Sequence, residues 1–142
     1  LCAAITAREA GASFHADPES LLRVAQFLLL ACPATPETTG FLDARRIALL
    51  PRGAVVANVG RGAVVVDADL ADALASGHVA AAGLDVFAGE PAVYPRYFAL
   101  PNVFMLPHIG SSTLETRIAM AQVLVAGLAQ FGRGEPAGNR LA

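Results

Sequence analysis

The sequence predicts an α/β fold, a doubly wound parallel sheet, on two observations. Short apolar runs at Phe27-Leu28-Leu29-Leu30-Ala31, Ala54 to Val59, Val79 to Val86 and Val103 to Leu106 alternate with helix-forming stretches. Runs of this kind are how a sheet covered by crossover helices is written. The order strand, turn, helix also recurs along the chain, as successive βαβ units require.

Each element has a local reason. Asp17 suits a helix cap and Pro18 the first turn of a helix carrying Leu21, Leu22 and Val24. Phe27 to Ala31 then reads as a fully buried strand. Thr35-Pro36 opens a second short helical segment. Pro51-Arg52-Gly53 is a turn ahead of the strand from Ala54 to Val59, and Asp67 is expected to cap a helix through Leu70 and Leu74 that Gly77 stops. Val79 to Val86 and Val103 to Leu106 give the last strands. Ser112-Thr113-Leu114-Glu115 has the form of a capping box opening a helix to about Phe131. On that helix Leu114, Ile118, Ala121, Val125 and Leu128 form a stripe that Met120, Val123 and Leu124 widen beyond one face. Such a helix is expected to pack on something outside this chain, or on a twin.

Composition narrows the function classes. The 142 residues fit one domain, and 55% hydrophobic with 15% charged residues excludes disorder as the dominant state. Ten basic side chains, all arginine, against twelve acidic ones give a net charge of −2 with no basic block, so no nucleic-acid partner is expected. Gln122 and Gln130, or Pro101 and Pro107, interrupt the best apolar stretches, and no membrane span or signal peptide is legible. Cys2 and Cys32 lack metal-ligand spacing and read as reduced thiols of a cytoplasmic protein. No metal site is expected.

Ligands of an open parallel sheet lie beyond the carboxyl ends of its strands, so the residues that follow each apolar run are the candidates. Cys32-Pro33-Ala34-Thr35-Pro36 is a stiff loop for a flat ligand, or an ordinary turn. Arg61, between Gly60 and Gly62, could aim a guanidinium fork at a carboxylate, or be a surface arginine. Asp85 could accept from a ligand amide, or sit solvated at a strand end. His108 after Leu106-Pro107, held by Glu90 of the Glu90-Pro91 loop, would have its cationic form favoured, as a proton donor needs. The alternative is a histidine that merely precedes a helix cap. His15 and His78 read as surface residues.

Four ordered stretches carry a resemblance: Ala31-Cys32-Pro33-Ala34-Thr35-Pro36-Glu37-Thr38, Asn58-Val59-Gly60-Arg61-Gly62, Gly83-Leu84-Asp85-Val86-Phe87 through Glu90-Pro91, and Pro107-His108-Ile109-Gly110-Ser111. Over about residues 9 to 142 the chain is similar to the NAD(P)-dependent D-2-hydroxyacid dehydrogenases, nearest to the glyoxylate and hydroxypyruvate reductase branch. The resemblance implies the second half of a Rossmann-like domain and a reaction in which hydride passes from NADH or NADPH to a small 2-oxo acid. It implies that Arg61 binds the substrate carboxylate, that His108 gives the proton and that Glu90 pairs with it. Asp85 would lie beside the nicotinamide, and Pro33, Val59, Gly110 and Ser111 would contact the cofactor.

No Gly-x-Gly-x-x-Gly turn is present. Residues 1–112 are therefore expected to form an incomplete NAD(P)-binding domain. Residues 113–142 are expected to be a helix and tail that pack toward a substrate domain outside this chain. The chain reads as the C-terminal part of an enzyme that is a homodimer in its full-length form. The residue that separates NAD from NADP in such a fold is not read from the Ile5 to Arg8 stretch, and the cofactor expected is NAD or NADP. A second reading is a non-catalytic binding or dimerisation module, or an inactive fragment, of the same fold.

Overall fold

Asp17 takes the cap position expected of it. In the computed structural model, which describes residues 11–136 and 138, its carboxylate accepts from the amides of Glu19 and Ser20, satisfying donors that a helix start leaves open. Helix α1 spans Pro18–Leu22 and buries Leu22. Strand β1 (Phe27–Leu30), helix α2 (Ala44–Ile47) and strand β2 (Ala54–Asn58) follow. After a 3-10 turn at Gly62–Val64 come helix α3 (Asp67–Ala75), strand β3 (Val79–Leu84), a 3-10 turn at Pro95–Ala99 and strand β4 (Val103–Met105).

The four strands form one parallel sheet in the order β1-β2-β3-β4. Leu30, Asn58, Leu84 and Met105 stand opposite one another across it, so all four carboxyl ends share one edge. Leu28, Leu30, Val56, Ala82 and Leu84 of the sheet join Leu22, Ile47, Leu70 and Leu74 of the helices in the core. Burying each large aliphatic side chain contributes about 1.5–3 kcal/mol.

Strand β1 is not fully buried. Phe27 is 79% and Leu29 62% exposed while Leu28 and Leu30 are buried, because among the described residues of this unit the helices α1 to α3 pack on the Leu28 and Leu30 face, and an apolar run reads the same with one face covered or two. Thr35-Pro36 opens a turn and no helix. There the Thr38 hydroxyl donates to the Pro33 carbonyl at 2.7 Å and accepts from the Thr35 amide at 2.8 Å, a local alternative to helical pairing. The nearby helix is α2, capped by Asp43 through the Arg46 amide and by Asp69 through the Ala44 amide.

Asp67 lies one residue inside α3, whose cap is Val66. Its carboxylate instead accepts from the buried Tyr97 hydroxyl at 2.9 Å. His78 is half-buried, with Nε2 donating to the Ile47 carbonyl at 3.0 Å. Gly77 ends the α3 segment with φ of 69°, a conformation that costs glycine nothing.

The chain divides into two compact units, one ending at Leu106 and one beginning at Pro107. The second holds a turn at Gly110-Ser111 and helix α4 (Leu114–Gly132). Thr113, not Ser112, is its cap, accepting from the Thr116 amide at 3.2 Å. Ser112 is engaged by the Arg117 guanidinium. No residue of α4 is buried. Among the described residues no helix is long and apolar enough to cross a membrane. Cys32 is a free thiol, while Cys2 and the Ile5 to Arg8 stretch lie outside the described residues.

Candidate active site

Strand β2 stops where its last side chain turns back on the chain. Asn58 is 1% exposed. Its Oδ1 accepts from the Gly60 amide at 3.1 Å, and its Nδ2 donates to the Arg61 carbonyl at 3.1 Å. The Leu30 carbonyl of β1 accepts from both Val59 and Gly60 amides, which ties this turn to the neighbouring strand. Gly60 has no room for a side chain, since a Cβ there would stand 2.6 Å from the Cys32 carbonyl oxygen. The loops after β1 and β2 are thus in direct backbone contact.

Arg61 follows in extended conformation, φ −142° and ψ 140°, at the head of the 3-10 turn. Its side chain is exposed and Nη1 donates to the Gly60 carbonyl at 2.8 Å. Gly62 then passes so near the third loop that a Cβ would collide with the backbone of Phe87 and Ala88.

That third loop leaves β3 at Asp85, which is buried and whose amide donates to the Asn58 carbonyl. A carboxylate Oε1 of Glu90 accepts from the Phe87 amide at 2.9 Å, so the Glu90 head is anchored to its own loop. The loop carries a cis peptide between Glu90 and Pro91 and a bridge between Gly89 and Ala92.

Of the sequence candidates, Pro33, Val59, Arg61, Asp85 and Glu90 all lie on loops at the carboxyl edge of the first unit. The Arg61 turn and the Glu90 loop are brought together through Gly62 and Phe87. His108, Gly110 and Ser111 open the second unit. There His108 has φ of 55°, in the left-handed region that non-glycine residues rarely occupy and that often marks functional positions.

Asn58 and the close approach of Gly62 were not singled out from sequence. The amide at the end of an apolar run was the available signal for Asn58. Nothing local announced the Gly62 contact.

A flat apolar ring is one kind of ligand that this edge could hold. Val59 is 52% exposed beside Gly60, where added side-chain bulk would meet the Cys32 backbone, and Pro33 is exposed on the adjoining loop. These give an apolar surface for a flat ring. Asp85, a carboxylate on the same edge, is of the type that accepts from a carboxamide.

Comparison with known proteins shows the family. The family described as D-isomer specific 2-hydroxyacid dehydrogenase, NAD binding domain, matches residues 3–110. A glycerate dehydrogenase from Hyphomicrobium methylovorum is 47% identical over 110 residues, covering 78% of this chain and 34% of that protein. A glyoxylate reductase from Pyrococcus furiosus is 41% identical over 128 residues, 90% of this chain and 38% of that protein. The crystal structure of an NADPH-dependent glyoxylate/hydroxypyruvate reductase from Sinorhizobium meliloti, in complex with NADP and malonate, has a TM-score of 0.81 and 36% identity over 85% of this chain and 38% of that one. The chain thus spans well under half the length of these relatives, and it belongs to the family of NAD-binding domains of the D-isomer specific 2-hydroxyacid dehydrogenases.

Proposed function

We propose that this chain is the cofactor-side half of the active site of an enzyme reducing a small 2-oxo acid, of the glyoxylate or hydroxypyruvate type, with NADH or NADPH. The observation that carries the reading is the contact of Gly62 with Phe87, which fixes the loop of a guanidinium to the loop of a carboxylate at one sheet edge. The relatives with glycerate and glyoxylate in their names support the substrate class.

Arg61 holds the substrate carboxylate with its fork and draws charge from the adjoining carbonyl. His108 supplies the proton that the carbonyl oxygen takes up, and Glu90 pairs with that imidazole. Asp85 binds the carboxamide end of the cofactor, while Pro33, Val59, Gly110 and Ser111 line its path. When bound, the reduced nicotinamide supplies hydride to the 2-oxo carbon. In this reading residues 1–112 are the later half of the nucleotide-binding domain, and α4 with the tail, residues 113–142, packs toward a substrate domain.

The protein made from its complete coding sequence is expected to oxidise NADH or NADPH on addition of glyoxylate or hydroxypyruvate. Absence of turnover with both, in a folded protein that binds the cofactor, overturns the substrate assignment.

A further inference from the structure

An amide is out of place at the end of β2. The strand buries Ala54 and Val56 on the core face, and the period of two puts residue 58 on that same face, where an apolar side chain would serve packing better. Asn58 fills the slot at 1% exposure, and together with Asp85 it makes up the buried polar side chains of the described core. Burying an amide is tolerated only when its donors and acceptor are used.

Here the acceptor and a donor are used at the two ends of the Gly60–Arg61 pair. Oδ1 takes the Gly60 amide and Nδ2 gives to the Arg61 carbonyl, so the Val59–Gly60 peptide and the Arg61–Gly62 peptide, which bracket the Gly60–Arg61 segment, are both clamped. Reversing the amide would set donor against donor and acceptor against acceptor. The Arg61 Cα therefore has its direction set from below, while Nη1 bonded to the Gly60 carbonyl sets the guanidinium from its own loop. A fork that must meet a carboxylate through two parallel bonds tolerates little misplacement.

We infer that Asn58 is a positioning residue for substrate binding: by clamping the backbone at both ends of the Gly60–Arg61 pair it aims the guanidinium at the carboxylate of the 2-oxo acid. The inference rests on the role proposed for Arg61.

The test uses the protein from its complete coding sequence, loaded with NADH, and oxamate, a non-reducible isostere of a 2-oxo acid. Calorimetric Kd for oxamate is read beside kcat and KM for glyoxylate and KM for NADH. Asn58→Ala removes both bonds. Asn58→Asp keeps the acceptor for Gly60 and sets an oxygen against the Arg61 carbonyl, so it carries the same test should the alanine variant not fold. Each is expected to raise the oxamate Kd and the glyoxylate KM about five- to tenfold, the range for losing a hydrogen bond, with the NADH KM changed less than about twofold.

In an Arg61→Ala background the same substitutions are expected to add nothing, because what they aim is gone. An unchanged oxamate Kd in a folded Asn58 variant overturns the inference while leaving Arg61 in its role. So does a rise that persists in the Arg61→Ala background, or an equal rise in the NADH KM. If Arg61→Ala itself binds oxamate like the parent, the carboxylate role of Arg61 falls and the inference with it.

Discussion

Gly62 lies against Phe87 so tightly that no Cβ fits between them. The residue after the candidate carboxylate-binding arginine is thereby seated on the residue whose amide anchors Glu90. Two loops from neighbouring strands become one rigid piece by omission of a methyl group.

Gly62→Ala is expected to force those loops apart. Overpacking of this kind costs about 1–3 kcal/mol, readable as a lower urea midpoint with unchanged slope. Displacement of reacting groups by about an ångström can lower kcat/KM on the order of 10²-fold, so activity should fall much further than stability. A variant with parental kcat/KM would mean that the Arg61 turn and the Glu90 loop need no fixed spacing.

Glu90 has two separable duties. Its Oε1 accepts from the Phe87 amide, which a glutamine carbonyl can also do, whereas the charge is available only to the acid. Glu90→Gln should therefore keep stability within about 0.5 kcal/mol of the parent, and Glu90→Ala should lose about 1 kcal/mol with its hydrogen bond. Both should lose activity. If Glu90→Gln retained full turnover, the carboxylate charge would have no part in the reaction.

What the sequence made legible follows from the range of each signal. The runs at Ala54 to Val59 and Val79 to Val86 hold the strands Ala54–Asn58 and Val79–Leu84, and Arg61, Asp85 and Glu90 fall on the carboxyl edge, because apolar runs and strand ends are local signals. Phe27 and Leu29 were expected in the core and are exposed, since covering the second face of β1 is not encoded in β1. Asp67 reads as a cap on local grounds, and its carboxylate is taken instead by Tyr97 across the fold. The seating of Gly62 on Phe87 was illegible for the same reason.

Tyr97 is 1% exposed, and its hydroxyl donates to Asp67. Burial first, and then the Asp67 carboxylate, push the tyrosine well above its ordinary value of 10.0. Because the folded value is raised, the contribution is fully present below the unfolded value and is lost as pH rises above it. The parent should therefore lose stability between about pH 8 and about pH 11 more steeply than Tyr97→Phe. At the lower pH the variant should be weaker by about 1–2 kcal/mol, since half-buried Asp67 is left without this donor. Urea titrations at both pH values check it, and equal losses in the two proteins would show that Tyr97 ionisation is not coupled to folding.

His108 holds φ at 55°, which confounds the usual alanine test, because alanine lacks the short polar side chain that eases this conformation. Asparagine adopts it more readily than most residues, so His108→Asn removes the imidazole while leaving the backbone at ease. Loss of a positioned general acid lowers kcat by roughly 10² to 10⁴. That fall is expected in His108→Asn with a thermal midpoint close to the parent's, and in His108→Ala with some loss of stability as well. Parental kcat in the asparagine variant, measured as NADH oxidation with saturating glyoxylate, would assign the proton to another donor and leave the left-handed turn at 108 as a purely structural feature.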